Sequence, residues 1–353
     1  MASIARASDY DRRFMYAITS RLGDEVGFDH NGRVWCVSDL HIDTKSGPNY
    51  RWLEEIPERP NDALICAGDI CTSLSQLRHV LTVLKSKFSQ VFYTPGNHEL
   101  WTYMGGPNSV EKCLAVLDVC DEVGVLTTTT FLGDSIMIAP LFSWWTASDV
   151  ATGGIGGDEG EAEEGSGVRS GARATTATTN AATVAGSVMR AESGGLIEPL
   201  ESKPPLVLDT FDCLCMWPAE VGDPANPHNS GFHTIQDFFL QLNSTALAMD
   251  TGGRQVISFS HFVPSTKLCP GVDSKLLPIL CCTPIMEQIS RLKRSAVHCF
   301  GHSHQQIDIM IGGTRFVQCA LGHAKDRSRE GKVAEGPPDL ALVQVWPLST
   351  SDP

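Results

Sequence analysis

Five short polar clusters hold the chemistry available to this chain of 353 residues: Asp39-Leu-His41, Gly68-Asp69, Gly96-Asn97-His98-Glu99, Ser260-His261 and Gly301-His302-Ser303-His304. Carboxylate, amide oxygen and imidazole are hard-to-borderline donors, suited to manganese, iron, zinc, cobalt or nickel, whereas thiolate-rich sets favour structural zinc. In an extended segment residues i and i+2 point the same way, so Asp39 and His41 can converge on one ion, and His302 with His304 on a neighbouring pair. Taken singly, Asp, Asn and His after a strand often do no more than cap a turn. Taken jointly and in order, they read as a ligand set, in which His261 has the slightest local signature.

The elements that must position them are visible in the same pattern. Each cluster ends a short apolar run: RVWCVS leads to Asp39, ALICAG to Asp69, VFYTPG to Asn97, QVISFS to His261 and AVHCFG to His302. Runs of this length and composition predict buried strands with polar C-terminal ends. Helical spacing marks Ser73 to Phe88 and Val110 to Val123, the latter closed by Gly124. Strand and helix therefore alternate, as in an α/β fold. A later group, TTTTFLGDSIMIAPLFSW, GGTRFVQCAL and LALVQVWPL, predicts strands without intervening helices, hence a second, partly antiparallel sheet packed on the first.

Composition narrows the class. Apolar residues make up 42% and charged residues 19%, which fits a soluble globular chain with no membrane association. Asp and Glu number 41 against 27 Lys and Arg, a formal charge of −14. Such a field opposes polyanions, so nucleic acid is not an expected partner. The 12 cysteines include no CxxC pair, and reduced structural thiols are expected. The N-terminus, MASIARASDYDRRFMYAITSR, lacks the apolar h-region of a secretory signal, and Asp9 and Asp11 count against an organellar presequence; a cytoplasmic setting is expected. Positions 151–195 are largely Gly, Ala, Thr, Ser and Glu, too poor in apolar surface to offset chain entropy. The expected organisation is an N-terminal segment 1–32, one domain 33–348 interrupted by a disordered insertion at about 150–200, and a tail at 349–353.

The motifs DLH, GD, GNHE, SH and GHSH, in that order, resemble those of the calcineurin-like metallophosphoesterase superfamily. The resemblance covers roughly Arg33 to Leu348 apart from the insertion. It implies a four-layer α/β/β/α sandwich of two mixed sheets with two divalent metal ions, drawn from Mn, Fe or Zn, at the C-terminal edge of the strands. Carried over position by position, Asp39, His41, Asp69 and His304 hold the first ion, and Asp69, Asn97, His261 and His302 the second, with Asp69 as bridge. It also implies hydrolysis of a phosphomonoester or phosphodiester by in-line attack of a metal-bridging hydroxide. His98 matches the family's catalytic histidine, and an imidazole with its ordinary pKa near 6.5 suits protonation of the leaving oxygen.

Within the family, the Ser/Thr protein phosphatase branch carries an Arg just after GD, whereas this chain reads GDICTS with no Arg until Arg78. A small-molecule phosphate ester is therefore the expected substrate, and no protein partner is evident. The contrasting expectation is a binding or scaffold protein that keeps the fold without turnover; members of that kind lack ligands that this chain retains. Glu99 and Asp308 are candidates for orienting the ligand imidazoles. A structural or solvated role is expected for His30, His79, His228, His233 and His298, and a surface role for His323 with Lys325, Arg327 and Arg329 beyond it. Core packing is expected for Trp101, Trp144 and Trp145.

Overall fold

The computed structural model describes residues 27–102, 106–145, 212, 214–218, 221, 234–323 and 342–347. Residues 1–26 of the expected N-terminal segment, the insertion at about 150–200 and the tail at 349–353 lie outside the described residues, as do His228, His233, Lys325, Arg327 and Arg329.

Among the described residues, eleven strands form two mixed sheets. They are β1 (Gly27–Phe28), β2 (Val34–Val37), β3 (Arg59–Cys66), β4 (Phe88–Tyr93), β5 (Thr130–Leu132), β6 (Ile136–Pro140), β7 (Gln255–Phe259), β8 (Ser295–Phe300), β9 (Gln306–Ile311), β10 (Thr314–Cys319) and β11 (Val343–Trp346). One sheet runs β11-β2-β3-β4 and the other β1-β5-β6-β7-β8-β10-β9. The strands that end in the polar clusters pair in parallel, β2 with β3, β3 with β4, and β7 with β8. Parallel pairing is what brings their C-terminal ends to a common edge.

Because successive side chains of a strand point to opposite faces, each apolar run feeds two cores at once. On β3, Leu64 and Cys66 pack under α1 (Pro48–Glu55), α2 (Leu74–Lys87) and α3 (Ser109–Val123), while Ala63 and Ile65 face the other sheet. On β6, Ile136 and Ile138 meet that same inter-sheet core, while Met137 and Ala139 pack with α4 (Ile235–Leu242), α5 (Ser244–Ala248), α6 (Leu277–Leu280) and α7 (Ile285–Arg291). Three cores separate four layers, the α/β/β/α sandwich that the resemblance implies. The helices expected over 73–88 and 110–123 fall within a residue of their observed limits.

One strand lies elsewhere than expected. The C-terminal run LALVQVWPL, expected in the second sheet, supplies β11, which pairs antiparallel with β2 at the edge of the smaller sheet. Alternation of apolar residues identifies a strand without naming its neighbour. The described cysteines are all free, and all but Cys215 are buried, in keeping with structural thiols. Among the described residues no helix is long and apolar enough to cross a membrane.

His298 on β8 is fully buried, with Nδ1 2.8 Å from Ser258 Oγ and Nε2 3.1 Å from Ser260 Oγ. Burial pushes its pKa down to about 3, so the ring is neutral in the folded chain while the unfolded chain titrates near 6.5. The unfolded state then gains a proton first as pH falls, and the stability contributed by His298 is present above pH 6.5 and lost below it. Denaturation of wild type and His298→Gln between pH 7.5 and 5 should differ in slope, with on the order of 2 kcal/mol of the wild-type decline absent from the variant; parallel declines would disprove this assignment.

Candidate metal centre

The loops that follow the strands hold their polar residues in an unusual backbone state. Among the described residues, non-glycine residues with positive φ are Asp39 (55°), His41 (45°), Asp69 (55°), Asp212 (53°), His302 (74°), His304 (55°) and Arg294. All but Arg294 lie at this site. A left-handed backbone costs a side-chain-bearing residue on the order of 1 kcal/mol, and it is sustained here by cross-loop hydrogen bonds: Asp39 N–H donates to Gly68 O at 3.0 Å and His41 N–H to Asp69 O at 3.0 Å. The motif glycines leave the room required. A Cβ at Gly96 would run into Asp69 Oδ1, and one at Gly68 into the His261 ring.

Glu99 ties these loops from below. Its Oε1 accepts from Ile70 N (2.6 Å) and Cys71 N (3.0 Å), and its Oε2 from Asp69 N (3.0 Å) and Gly96 N (2.8 Å). Burial, reinforced by the Asp69 charge, pushes its carboxyl up to about 7. The expectation that Glu99 orients ligand imidazoles is therefore corrected: its partners are backbone amides. Asp308 is corrected as well, because it pairs with Arg315 Nη2 at 2.7 Å on the β9–β10 hairpin.

The eight residues singled out from the sequence come together. Asp69, His261 and His302 form one group of potential metal donors, and His41, Asp69 and His98 another, sharing Asp69. In the first, His261 Nε2 lies 3.4 Å from Asp69 Oδ2, 3.1 Å from Asn97 Oδ1 and 3.2 Å from His302 Nδ1. Beside the second, His41 Nε2 and His304 Nε2 are 2.9 Å apart, and Asp39 Oδ1 is 3.6 Å from His304 Nε2. Asp39 is held by His302 N–H at 2.9 Å and by the Ser38 hydroxyl.

The donor chemistry of the first group fits a divalent cation. A carbonyl oxygen only accepts, so His261 Nδ1, 2.9 Å from Ala67 O, and His302 Nε2, 3.2 Å from Ile279 O, are the nitrogens that keep their hydrogens when the rings are neutral. The opposite nitrogens therefore present lone pairs to one another and to Asp69 and Asn97. Backbone carbonyls fixing the tautomer of a ligating imidazole is the usual arrangement around bound metal. Electrostatics agree: although burial opposes it, the Asp69 carboxylate pushes His261 up to about 9, so this space attracts positive charge. Burial and the neighbouring His261 hold His302 well below its ordinary range. Around the other group, His41 Nδ1 and His98 Nδ1 are buried without a hydrogen-bond partner.

Two residues here escaped the sequence. Asp212 accepts from Asn97 Nδ2 at 2.8 Å, Trp101 Nε1 at 2.7 Å and Trp145 Nε1 at 3.0 Å; it stands 115 residues from Asn97, outside any motif. His323, expected on the surface, stacks on His41 with ring centroids 4.0 Å apart and groups with His41 and His304 as potential donors; the order in which it follows the last motif was its only signal. Trp144 packs in the core against Phe239 and Phe262 as expected. Trp101 instead lies against the His98 ring, centroids 3.7 Å apart.

Residues 32–167, which contain the first three motifs, match the model of the calcineurin-like phosphoesterase family. The fold brings the last two motifs against them, with bonds from His261 to Ala67 O and from His302 N–H to Asp39. Over 139 residues, 36% of this chain, it is 33% identical to the acyl-carrier-protein phosphodiesterase PptH of Mycobacterium tuberculosis, and the match spans 42% of that relative's length. The crystal structure of the phosphopantetheinyl hydrolase PptH from Mycobacterium tuberculosis matches with a TM-score of 0.60 at 18% identity, covering 92% of this chain and 100% of that one, a likeness of fold.

Glu99→Gln tests the tie beneath the loops. The isosteric amide turns an N–H toward amides that now donate to an oxygen, so the metal-free chain should lose about 3 kcal/mol in chemical denaturation. A loss below about 0.5 kcal/mol would show that those amides have other acceptors.

Proposed function

We propose that the chain hydrolyses phosphodiesters with two divalent ions, one held by Asp39, His41, Asp69 and His304 and the other by Asp69, Asn97, His261 and His302. The observation that carries this reading is the convergence of lone pairs from Asp69, Asn97, His261 and His302 beside the His41–His304 pair, with Asp69 common to both sides. When bound, such ions supply a nucleophile from water near neutral pH and neutralise phosphoryl oxygens.

The chain's own residues supply the rest. His98 backbone N–H donates to Asp69 Oδ1 at 3.0 Å, which fixes the start of its loop, and its Nε2 lies 3.9 Å from Asp69 Oδ2 on the partly open side of the site. From there the imidazolium stabilises developing charge and gives its proton to the leaving oxygen. Asp69 keeps that imidazole close without accepting its proton: although burial opposes ionisation, His261 and His98 hold its carboxyl well below the usual range.

A diester is favoured by one comparison. The relative that is 33% identical is named for phosphodiesterase action on acyl carrier protein, so the substrate class extends from small phosphate esters to a phosphodiester carried on a protein.

The test is a manganese-loaded assay with an aryl phosphomonoester, a bis-aryl phosphodiester and a phosphopantetheinylated acyl carrier protein. Diester cleavage, abolished by chelation and restored by Mn²⁺, is expected; bound metal with no turnover on any of them would favour a binding-only protein. His98→Ala should keep its metal content and lose a factor of about 10²–10⁴ in kcat. An unchanged kcat would remove the acid role from His98.

A further inference from the structure

The half-buried carboxylate of Asp212 has no place in the motifs, yet it touches one of their residues, Asn97, and the indole that lies against another, His98. Asn97 is an amide, and an amide offers oxygen on one side and N–H on the other. Which side faces the donor cluster is decided by its other neighbour. A carboxylate accepts and does not donate, so Asp212 Oδ1, 2.8 Å from Asn97 Nδ2, turns the nitrogen away and leaves Asn97 Oδ1 facing His261 Nε2 at 3.1 Å. The same carboxylate takes the Trp101 indole N–H at 2.7 Å, and the Trp101 ring lies against His98. On its far side it takes the Trp145 indole N–H at 3.0 Å. Its neighbours anchor it: Leu214 O accepts from Thr102 N and Met216 O from Ser109 N, each at 2.8 Å, stitching this stretch to the chain that follows the GNHE motif.

We propose that Asp212 is a positioning residue that fixes the Asn97 amide with its oxygen toward the second ion and, through Trp101, seats the His98 ring. It touches neither substrate nor ion. Asparagine at this position would set an N–H against one of the three donors, and with the carboxylate gone the Asn97 amide is free to turn its nitrogen inward, where it cannot coordinate. This inference rests on the two-ion reading above, and its test separates the two.

The measurement is Mn²⁺ binding to the purified full chain, followed by electron paramagnetic resonance and metal analysis, with thermal melting of the metal-free protein in parallel. Wild type is expected to show two ions with distinguishable affinities. Asp212→Asn should weaken one site about 10–100-fold, leave the other within about twofold, and lower the metal-free Tm by a few degrees, the cost of one mismatched N–H pair. Asn97→Asp should weaken the same site through like-charge contact with Asp212. The double variant Asn97→Asp with Asp212→Asn exchanges carboxylate and amide, restores the bond between positions 97 and 212, and should recover at least about threefold of the lost affinity. It also serves if the single variant fails to fold. Unchanged affinities in Asp212→Asn, an equal loss at both sites, or additive losses in the double variant overturn the proposal alone. A wild type that takes up fewer than two ions overturns the two-ion reading and the proposal with it.

Discussion

Repulsion among buried electron pairs is the constraint around which this molecule is built. His261 and His302 have each committed their single N–H to a backbone carbonyl, and Asn97 has committed its N–H to Asp212. What remains between them, when both rings are neutral, is a carboxylate, an amide oxygen and two ring lone pairs, buried where water cannot screen them. In a low-dielectric interior such a grouping is unfavourable by several kcal/mol unless a positive charge joins it. Much of the surrounding architecture resists its relaxation: left-handed backbone at the ligand positions, amides clamped by Glu99, and glycines where any side chain would intrude.

The layered fold supplies that resistance. Asp39, Asp69 and Asn97 follow strands of the smaller sheet, and His261 and His302 follow strands of the larger, so the cluster lies on the seam between the two. Bonds cross the seam directly, from His261 to Ala67 O and from His302 N–H to Asp39. Beneath them the inter-sheet core is mainly aliphatic, with Ile65, Ile138, Ile257 and Val317 all fully buried. A packed interior of this kind yields little to strain.

Much of this was legible in the residue order because the information is local. A β-rich apolar run followed by Asp-X-His or Gly-Asn-His states both the strand and the direction of its polar end, and five such runs identify the site without knowledge of tertiary contacts. The four layers come from the resemblance that these motifs carry, and the pattern itself states two packed sheets. What escaped depends on partners that local pattern does not encode. Asp212 is one carboxylate among many, recognisable only when Asn97, Trp101 and Trp145 are seen around it. His323 reads as a loop residue until it is found on the His41 ring. β11 has the alternation of any half-buried strand, and its choice of β2 is settled by an open sheet edge. Glu99 was correctly singled out but given the wrong partners, since backbone amides leave no trace in a string of side chains.

The contact between His302 and Asp39 joins positions 263 residues apart, and β11 completes the smaller sheet by returning to strand residues such as Cys36 from Val343. During synthesis, then, the ribosome must release nearly the entire polypeptide before the two halves of the cluster can meet. A nascent chain interrupted before His261 holds Asp39, Asp69 and Asn97 without the imidazoles from the other sheet. Assembly of the donor cluster therefore belongs to the close of translation, and truncated products made in the cell lack it.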